Sequence, residues 1–382
     1  MKITRLFWLI ATALFVATSC EDIDTVKNIS ISCHTQGLKD GANSLPASWG
    51  AEEQIYLFRS EDWSAALMTQ TSGAGTDTAT FTGSSAGTKS GYYAIRPASA
   101  AGSIMPNGTL AVTVRPSNIF FAGEDISSVI PQVGKGDQDG VNFTSLFGAL
   151  KFNLSGDYEV SKITVTDPEK DRGLYGTFGY NFTSGSIIDD EVFYEVARIP
   201  ASPLALTSAP TIYVALPAGS YDKLELALRD SESGNTILYV LKDVEVVRNS
   251  TKEVALPTPM VVSCVVGSWR LAQFCGADAE VDLYVDFSRD GKFTIYQRMG
   301  SPIYSKLVGT YSVNISEETI SGVYGDGEAW ADSYKFSLDS NGNLVLESVN
   351  NSGEVSVYEP AEMPSANKQS VSRGATSSVK PL

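Results

Sequence analysis

Val281-Asp-Leu-Tyr-Val-Asp-Phe287, followed by Asp290-Gly291 and then by Phe293-Thr-Ile-Tyr-Gln297, is the stretch whose reading decides the fold. Apolar residues recur at 281, 283, 285 and 287 and again at 293 and 295. A period of two lines one face of a pleated strand with apolar side chains and leaves the other face polar. The Asp-Gly pair tolerates the positive φ of a tight turn, so the two runs read as one antiparallel hairpin.

The same signature extends in both directions. Leu110, Val112 and Val114 alternate, as do the residues from Lys151 to Leu154, Ile163 with Val165, Leu224 with Leu226 and Leu228, and Tyr334 with Phe336 and Leu338. Turn pairs punctuate them at Asn107-Gly108, Asp139-Gly140, Asp326-Gly327 and Asn341-Gly342. Short strands joined by frequent turns predict an all-β chain of sandwiches or barrels. One helical turn is expected, at Asp62 to Thr69.

Two parts of the chain carry family resemblances. The first rests on Trp49-Gly50 leading into Gln54-Ile-Tyr-Leu-Phe58, on Thr80-Phe-Thr-Gly83 before Gly91-Tyr-Tyr-Ala-Ile-Arg-Pro97, on Ser145-Leu-Phe-Gly-Ala-Leu-Lys-Phe-Asn-Leu154, and on Ile212-Tyr-Val-Ala-Leu-Pro217 before Tyr221. In this order the phrases resemble the fimbrillin-like proteins of the Bacteroidetes. The resemblance implies two β-sandwich subdomains and a role in adhesion or fimbria-related assembly.

The second rests on Gly267-Ser-Trp-Arg-Leu271, the opening hairpin, Gly309-Thr-Tyr311, Gly322 with Tyr324, and Val357-Tyr-Glu-Pro360. It resembles the lipocalin-like domains of the same bacteria. About eight strands in this length can close into a barrel without a free edge. Gly267, Trp269 and Arg270 are its structural motif, with the indole expected across the closed end and Arg270 a nearby donor. Such a barrel is either filled by its own side chains, the favoured case, or holds one small apolar ligand.

The expected fold is therefore all-β: two fimbrillin-like β-sandwich subdomains, then a small lipocalin-like antiparallel β-barrel. The expected boundaries are a signal peptide at 1–19, a tether at 20–29, and a fimbrillin-like region at 28–257 divided into about 28–144 and 145–257. A linker at 258–263 comes next, where proline interrupts the ladder pattern, then the barrel at 264–360 and a polar tail at 361–382.

The N-terminal end carries a targeting signal. Lys2 and Arg5 precede an apolar run from Leu6 to Ala17, too short for a membrane span, which needs about twenty apolar residues. Ala17, Thr18, Ser19 and Cys20 resemble the lipobox of bacterial lipoproteins, with Ala17 where a larger aliphatic residue is usual. This implies lipidation of Cys20 by diacylglycerol and a further acyl chain of the palmitate type. The alternative is an ordinary cleaved signal with Cys20 left as a thiol. Several acyl chains on one cysteine give stable anchoring, because each buried methylene contributes about 0.8 kcal/mol. Glu21, Asp22 and Asp24 resemble the surface-export tag of Bacteroidetes lipoproteins, which places the protein on the outer membrane facing outward.

Losing Lys2 and Arg5 takes the net charge from −16 to −18. An acidic surface of this size repels phosphate backbones and excludes nucleic acid as a partner. The expected partners are the membrane, through Cys20, and other fimbrial subunits or host or microbial surface ligands. Cys33, Cys264 and Cys275 remain, an odd number that makes no complete disulfide framework. A Cys264–Cys275 bridge stays open in an oxidising compartment.

Catalytic constellations are missing. His34 is the sequence's one histidine, and its neighbour Cys33 points to the opposite face of an extended strand. No second histidine completes a usual zinc site. Gly83-Ser-Ser-Ala-Gly87 matches Gly-x-Ser-x-Gly in letters, but neither a following helix nor a downstream histidine accompanies it. Acidic groups at Asp137-Gln-Asp139, Asp189-Asp-Glu191 and Asp339-Ser-Asn-Gly-Asn343 lack the full calcium loop and read as turns.

No cofactor, metal or catalytic residue is therefore expected. The function the sequence favours is a non-catalytic surface lipoprotein in adhesion or fimbria-related assembly. It is an accessory or anchor subunit, since another folded domain succeeds the fimbrillin-like region. The alternative is an outer-membrane lipoprotein that binds a small apolar ligand or glycan through the barrel.

Overall fold

A computed structural model describes residues 26–41, 43–85, 88, 90–125, 130–298, 303–315, 317–364 and 381–382. The signal peptide, Cys20, the start of the tether and tail residues 365–380 lie outside the described residues. The described chain is all-β, with two single turns of 3-10 helix at Ala98–Ala100 and Leu206–Ser208. The expected helical turn at Asp62 to Thr69 is instead a loop running into the strand Ala65–Ser72, which pairs with Gln54–Arg59. Alternation of Ala66 and Met68 inward explains it, since that periodicity belongs to a strand.

The N-terminal sheet closes on itself. Lys27–Thr35 pairs with Thr78–Ser85 on one side and, in parallel, with Val141–Ser145 on the other, completing a seven-stranded barrel through Gln132–Gly136, Tyr92–Arg96, Gln54–Arg59 and Ala65–Ser72. Residues 27–29 of the expected tether already belong to its ladder. Ile31, Cys33, Ile55, Leu57, Phe81, Ala94 and Phe143 fill its interior. Phe58, Ile95 and Val133 alternate to the outer face and are buried in a second core.

That second core joins strands from both sides of 144/145. Thr109–Val114 pairs with Tyr175–Asn181, and Ile119–Phe121 pairs with Thr211–Leu216. Strands from the first stretch thus complete sheets built from the second. Leu110, Val112 and Val114 pack with Phe147, Phe178 and Tyr213, tying the barrel to the neighbouring sheets. Pairing across so many residues leaves no local mark on the sequence.

Beyond the barrel lies a sandwich. One sheet is Ile119–Phe121, Thr211–Leu216, Gly148–Asn153 and Thr251–Glu253; the other contains Glu195–Arg198, Glu159–Thr166, Gly219–Asp230, Thr236–Val246 and Met260–Val262. Leu150, Phe152 and Val214 meet Ile163, Leu224, Leu226 and Leu228 between them. Each such side chain stabilises the fold by about 1.5–3 kcal/mol through burial. The expected linker at 258–263 is not free chain, because Met260–Val262 pairs with Thr236–Leu238.

The C-terminal unit is an eight-stranded antiparallel ring. It runs from Gly267–Phe274 through Asp282–Phe287, Lys292–Arg298, Ser305–Asn314, Thr319–Tyr324, Tyr334–Leu338 and Leu344–Ser348 to Val355–Pro360, which pairs back onto the first strand with Trp269 opposite Pro360. The expected tail at 361–382 is not wholly detached. The Ala361 N–H donates to the Ser268 carbonyl, and Leu382 is 3% exposed inside the ring's core.

Candidate functional site

The first barrel has a polar layer on its inner face. Tyr92, Ala94 and Arg96 share that face by alternation, so an arginine projects among apolar side chains and is 1% exposed. Its guanidinium donates to Glu53 Oε1 at 2.7 Å, to the Ser48 carbonyl at 2.9 Å and to Gln132 Oε1 at 3.3 Å. The guanidinium carbon lies 3.9 Å from the centroid of the Trp49 ring. Burial pulls the Arg96 pKa down and the Glu53 charge pulls it back. Burial likewise holds the neighbouring Cys33 thiol up at about 12. The cluster positions strands: the guanidinium is buried and only the Glu53 side chain reaches solvent, in part. Its signal was the Tyr92-Tyr-Ala-Ile-Arg96 alternation.

In the second barrel, Phe287, Phe293, Tyr324 and Trp330 occupy the interior. Phe293 meets Trp330 edge-on at 5.3 Å and Tyr324 at 5.6 Å. The Trp330 indole presses on Gly322, where a Cβ would stand 2.4 Å from it, so no larger residue fits. Leu382 closes this group: its N–H donates to the Tyr324 hydroxyl at 3.0 Å, and its carbonyl accepts from Ala331 N–H at 3.1 Å. The ring is filled by its own side chains.

Gly267, Trp269 and Arg270 separate in role. Trp269 is 7% exposed and donates its indole N–H to the Val265 carbonyl at 2.8 Å, and Gly267 takes φ +146 beside it. Arg270 is not a donor near that indole. Adjacent strand residues face opposite ways, and Arg270 lies outside, bridging Asp282 at 3.5 Å and Glu359 at 3.1 Å on the two flanking strands.

The other sequence candidates are held in local structure. His34 Nδ1 lies 3.1 Å from the Thr78 hydroxyl, across the barrel wall from Cys33. Ser84 sits on a strand and donates to Asn28 Oδ1; Ala86 and Gly87 lie outside the described residues. Asp137 accepts from Asp139 N–H, and Asp339 accepts from Asn341 and Asn343 N–H, so both close their own turns. Asp189, Asp190 and Glu191 lie on one strand at a register shift, with Asp190 and Glu191 both exposed and Asp189 accepting from Gly173 N–H. Among the described residues no group of three His, Cys, Asp or Glu side chains is placed to hold a metal.

Cys264 and Cys275 stand at opposite ends of the eight-residue strand Gly267–Phe274. A strand of that length spans roughly 25 Å, far beyond the reach of a disulfide. All three described cysteines are free thiols.

Sheet edges are the remaining surface. Ile187–Phe193 pairs only with Tyr175–Asn181 among the described residues, leaving one side of its backbone open. Ile188 and Phe193 on it are 59% and 56% exposed. Asp190 projects from the middle of this edge.

No family model matches the chain, and no curated protein matches it. Among solved structures, a candidate cell adhesion protein from Bacteroides fragilis aligns over 62% of this chain and 96% of its own, at 7% identity and a TM-score of 0.36. A fimbrial protein from Bacteroides ovatus aligns over 65% of this chain and 53% of its own, at 9% identity and 0.32. A candidate cell adhesion protein from Parabacteroides distasonis aligns over 62% and 83%, at 8% identity and 0.26. At these scores the likeness assigns no residue and no role.

Proposed function

We propose that this chain is a non-catalytic lipoprotein displayed on the outer membrane, working in adhesion or fimbria-related assembly as an accessory or anchor subunit. The observation that carries the reading is the open edge Ile187–Phe193. Among the described residues no second strand covers this edge, and a strand edge open on one side beside exposed Ile188 and Phe193 is a template onto which another chain adds a strand. Contact of this kind needs no catalytic group.

Cys20 supplies the anchor in this reading, and Glu21, Asp22 and Asp24 behind it set the outward direction. The filled interior of the C-terminal ring speaks against the reading in which the barrel captures an apolar ligand. A folded ring beyond the sandwich also suits a terminal or accessory subunit better than a repeating shaft subunit.

Protease treatment of intact cells tests the location. The expected result is loss of the protein while periplasmic markers survive. Protection until the outer membrane is opened would overturn it. Cys20→Ala is expected to move the protein from the membrane fraction to the soluble one.

A further inference from the structure

Between the sandwich and the C-terminal ring lies a groove of about 340 Å³, lined from one side by Arg229 and Thr236 and from the other by Ser268, Trp269 and Arg289. It is the size of a small-molecule site at the lower end of the usual range. Its two arginines differ in what they face. Arg289, on the turn after Asp282–Phe287, reaches across and donates to Glu225 Oε2 at 2.7 Å. The other Glu225 oxygen lies 3.0 Å from Lys223 Nζ. That carboxylate is therefore fully matched, and the Arg289 contact fixes the two walls of the groove.

Arg229 shares a strand face with Glu225 by alternation and sits opposite Thr236 in the ladder. Among the described residues its guanidinium forms no hydrogen bond and no ion pair. Cys264 beside it is a buried thiol held at about 11, so it stays neutral and does not balance the charge. Glu318 also acts on that thiol from a distance, but an arginine with no carboxylate at ion-pair distance among the described residues is conspicuous in a chain with 28 basic and 44 acidic residues.

The geometry points to a binding site in this groove for a small hydroxylated monocarboxylate, an acidic monosaccharide of the hexuronate type, with Arg229 as the carboxylate receptor. A guanidinium presents paired donors that match a carboxylate, and one unbalanced cation matches one negative charge. A second negative charge would find no free cation in the groove among the described residues, because Arg289 is already matched to Glu225. The hydroxyls of Thr236 and Ser263 lie along the groove for sugar hydroxyls, the Ser268 hydroxyl donates to Asp286 and is left as an acceptor, and Val262 and Pro360 offer an apolar wall for a ring face. A ligand here touches both units and would hold their relative angle.

Isothermal titration calorimetry on the full chain tests this with sodium glucuronate, glucose, acetate and sulfate. Glucuronate is expected to bind, and to bind more tightly than the other three. Arg229→Gln is expected to weaken it about ten-fold or more, the effect of losing a charge-assisted pair, with an unchanged circular dichroism spectrum. Arg229→Lys, which keeps the charge but not the paired donors, is expected to fall between and serves if the Gln variant does not fold. Silence of glucuronate, equal binding by either Arg229 variant, or equal binding of glucose or sulfate would each overturn the proposal.

Discussion

Replacing Arg96 by methionine removes a buried cation from the inner face of the first barrel and leaves its partners in place. The perturbation strips Glu53 Oε1, the Ser48 carbonyl and Gln132 Oε1 of a donor, and uncovers the face of Trp49. Removing one partner of a buried pair costs about 3–5 kcal/mol, because the remaining charge stays desolvated. The Glu53 side chain keeps 21% exposure, which places this case at the lower end, about 3 kcal/mol. Glu53→Leu alone strands the guanidinium, whose side chain is 2% exposed, and is expected to cost more. The double variant Arg96→Met with Glu53→Leu removes both charges and is expected to recover most of the loss, with a coupling of about 1–3 kcal/mol. Hydrogen exchange read by mass spectrometry over Tyr92–Arg96 isolates this barrel from the rest of the chain. A drop of about 3 kcal/mol appears there as roughly a hundred-fold loss of protection. A single variant within about 1 kcal/mol of the parent, or a double variant no better than the worse single, would refute a buried, paired Arg96.

Alkylation at pH 8 followed by peptide mapping is expected to label the exposed Cys275 quickly, and Cys33 and Cys264 only after unfolding. Because burial raises the Cys33 thiol from 9.0 to about 12, the unfolded thiol ionises first; its stability contribution is full below pH 9 and lost as pH rises from 9 toward 12. Cys33→Val should flatten that alkaline fall in melting temperature, and an unchanged slope would refute the burial. Leu382→Asp is expected to destabilise the C-terminal ring by about 2 kcal/mol or more and to red-shift Trp330 emission, whereas unaltered emission and denaturation would show that Leu382 does not seat in the core. Tyr221→Phe leaves the Pro217 carbonyl without the phenol that now donates to it at 3.0 Å, and a loss of about 1–2 kcal/mol in chemical denaturation is expected; no loss would refute that bond.

The alternation of Leu283, Val285 and Phe287 was enough to read a strand, because side-chain direction in a strand depends on neighbours along the chain and on nothing else. The hairpin at Asp290-Gly291 was equally legible, and Gly291 takes φ +76 there. Eight strands in the C-terminal unit emerged from the same local rule. The free Arg229, the seat of Leu382 and the open edge at Ile187–Phe193 were not legible. Each depends on which strand lies beside which.

The sequence by itself determined the all-β class, the turns, the inward set of each strand and the separation of Cys33 from His34, all of which arise from backbone geometry over a few residues. It also carried the reading of Cys20, which rests on residue order alone. Only the tertiary structure decided that the first sheet closes into a ring and that Thr109–Val114 pairs across 144/145 with Tyr175–Asn181. Sheet partners are chosen by the burial of whole faces against one another, and that choice is made across distances the local pattern does not encode.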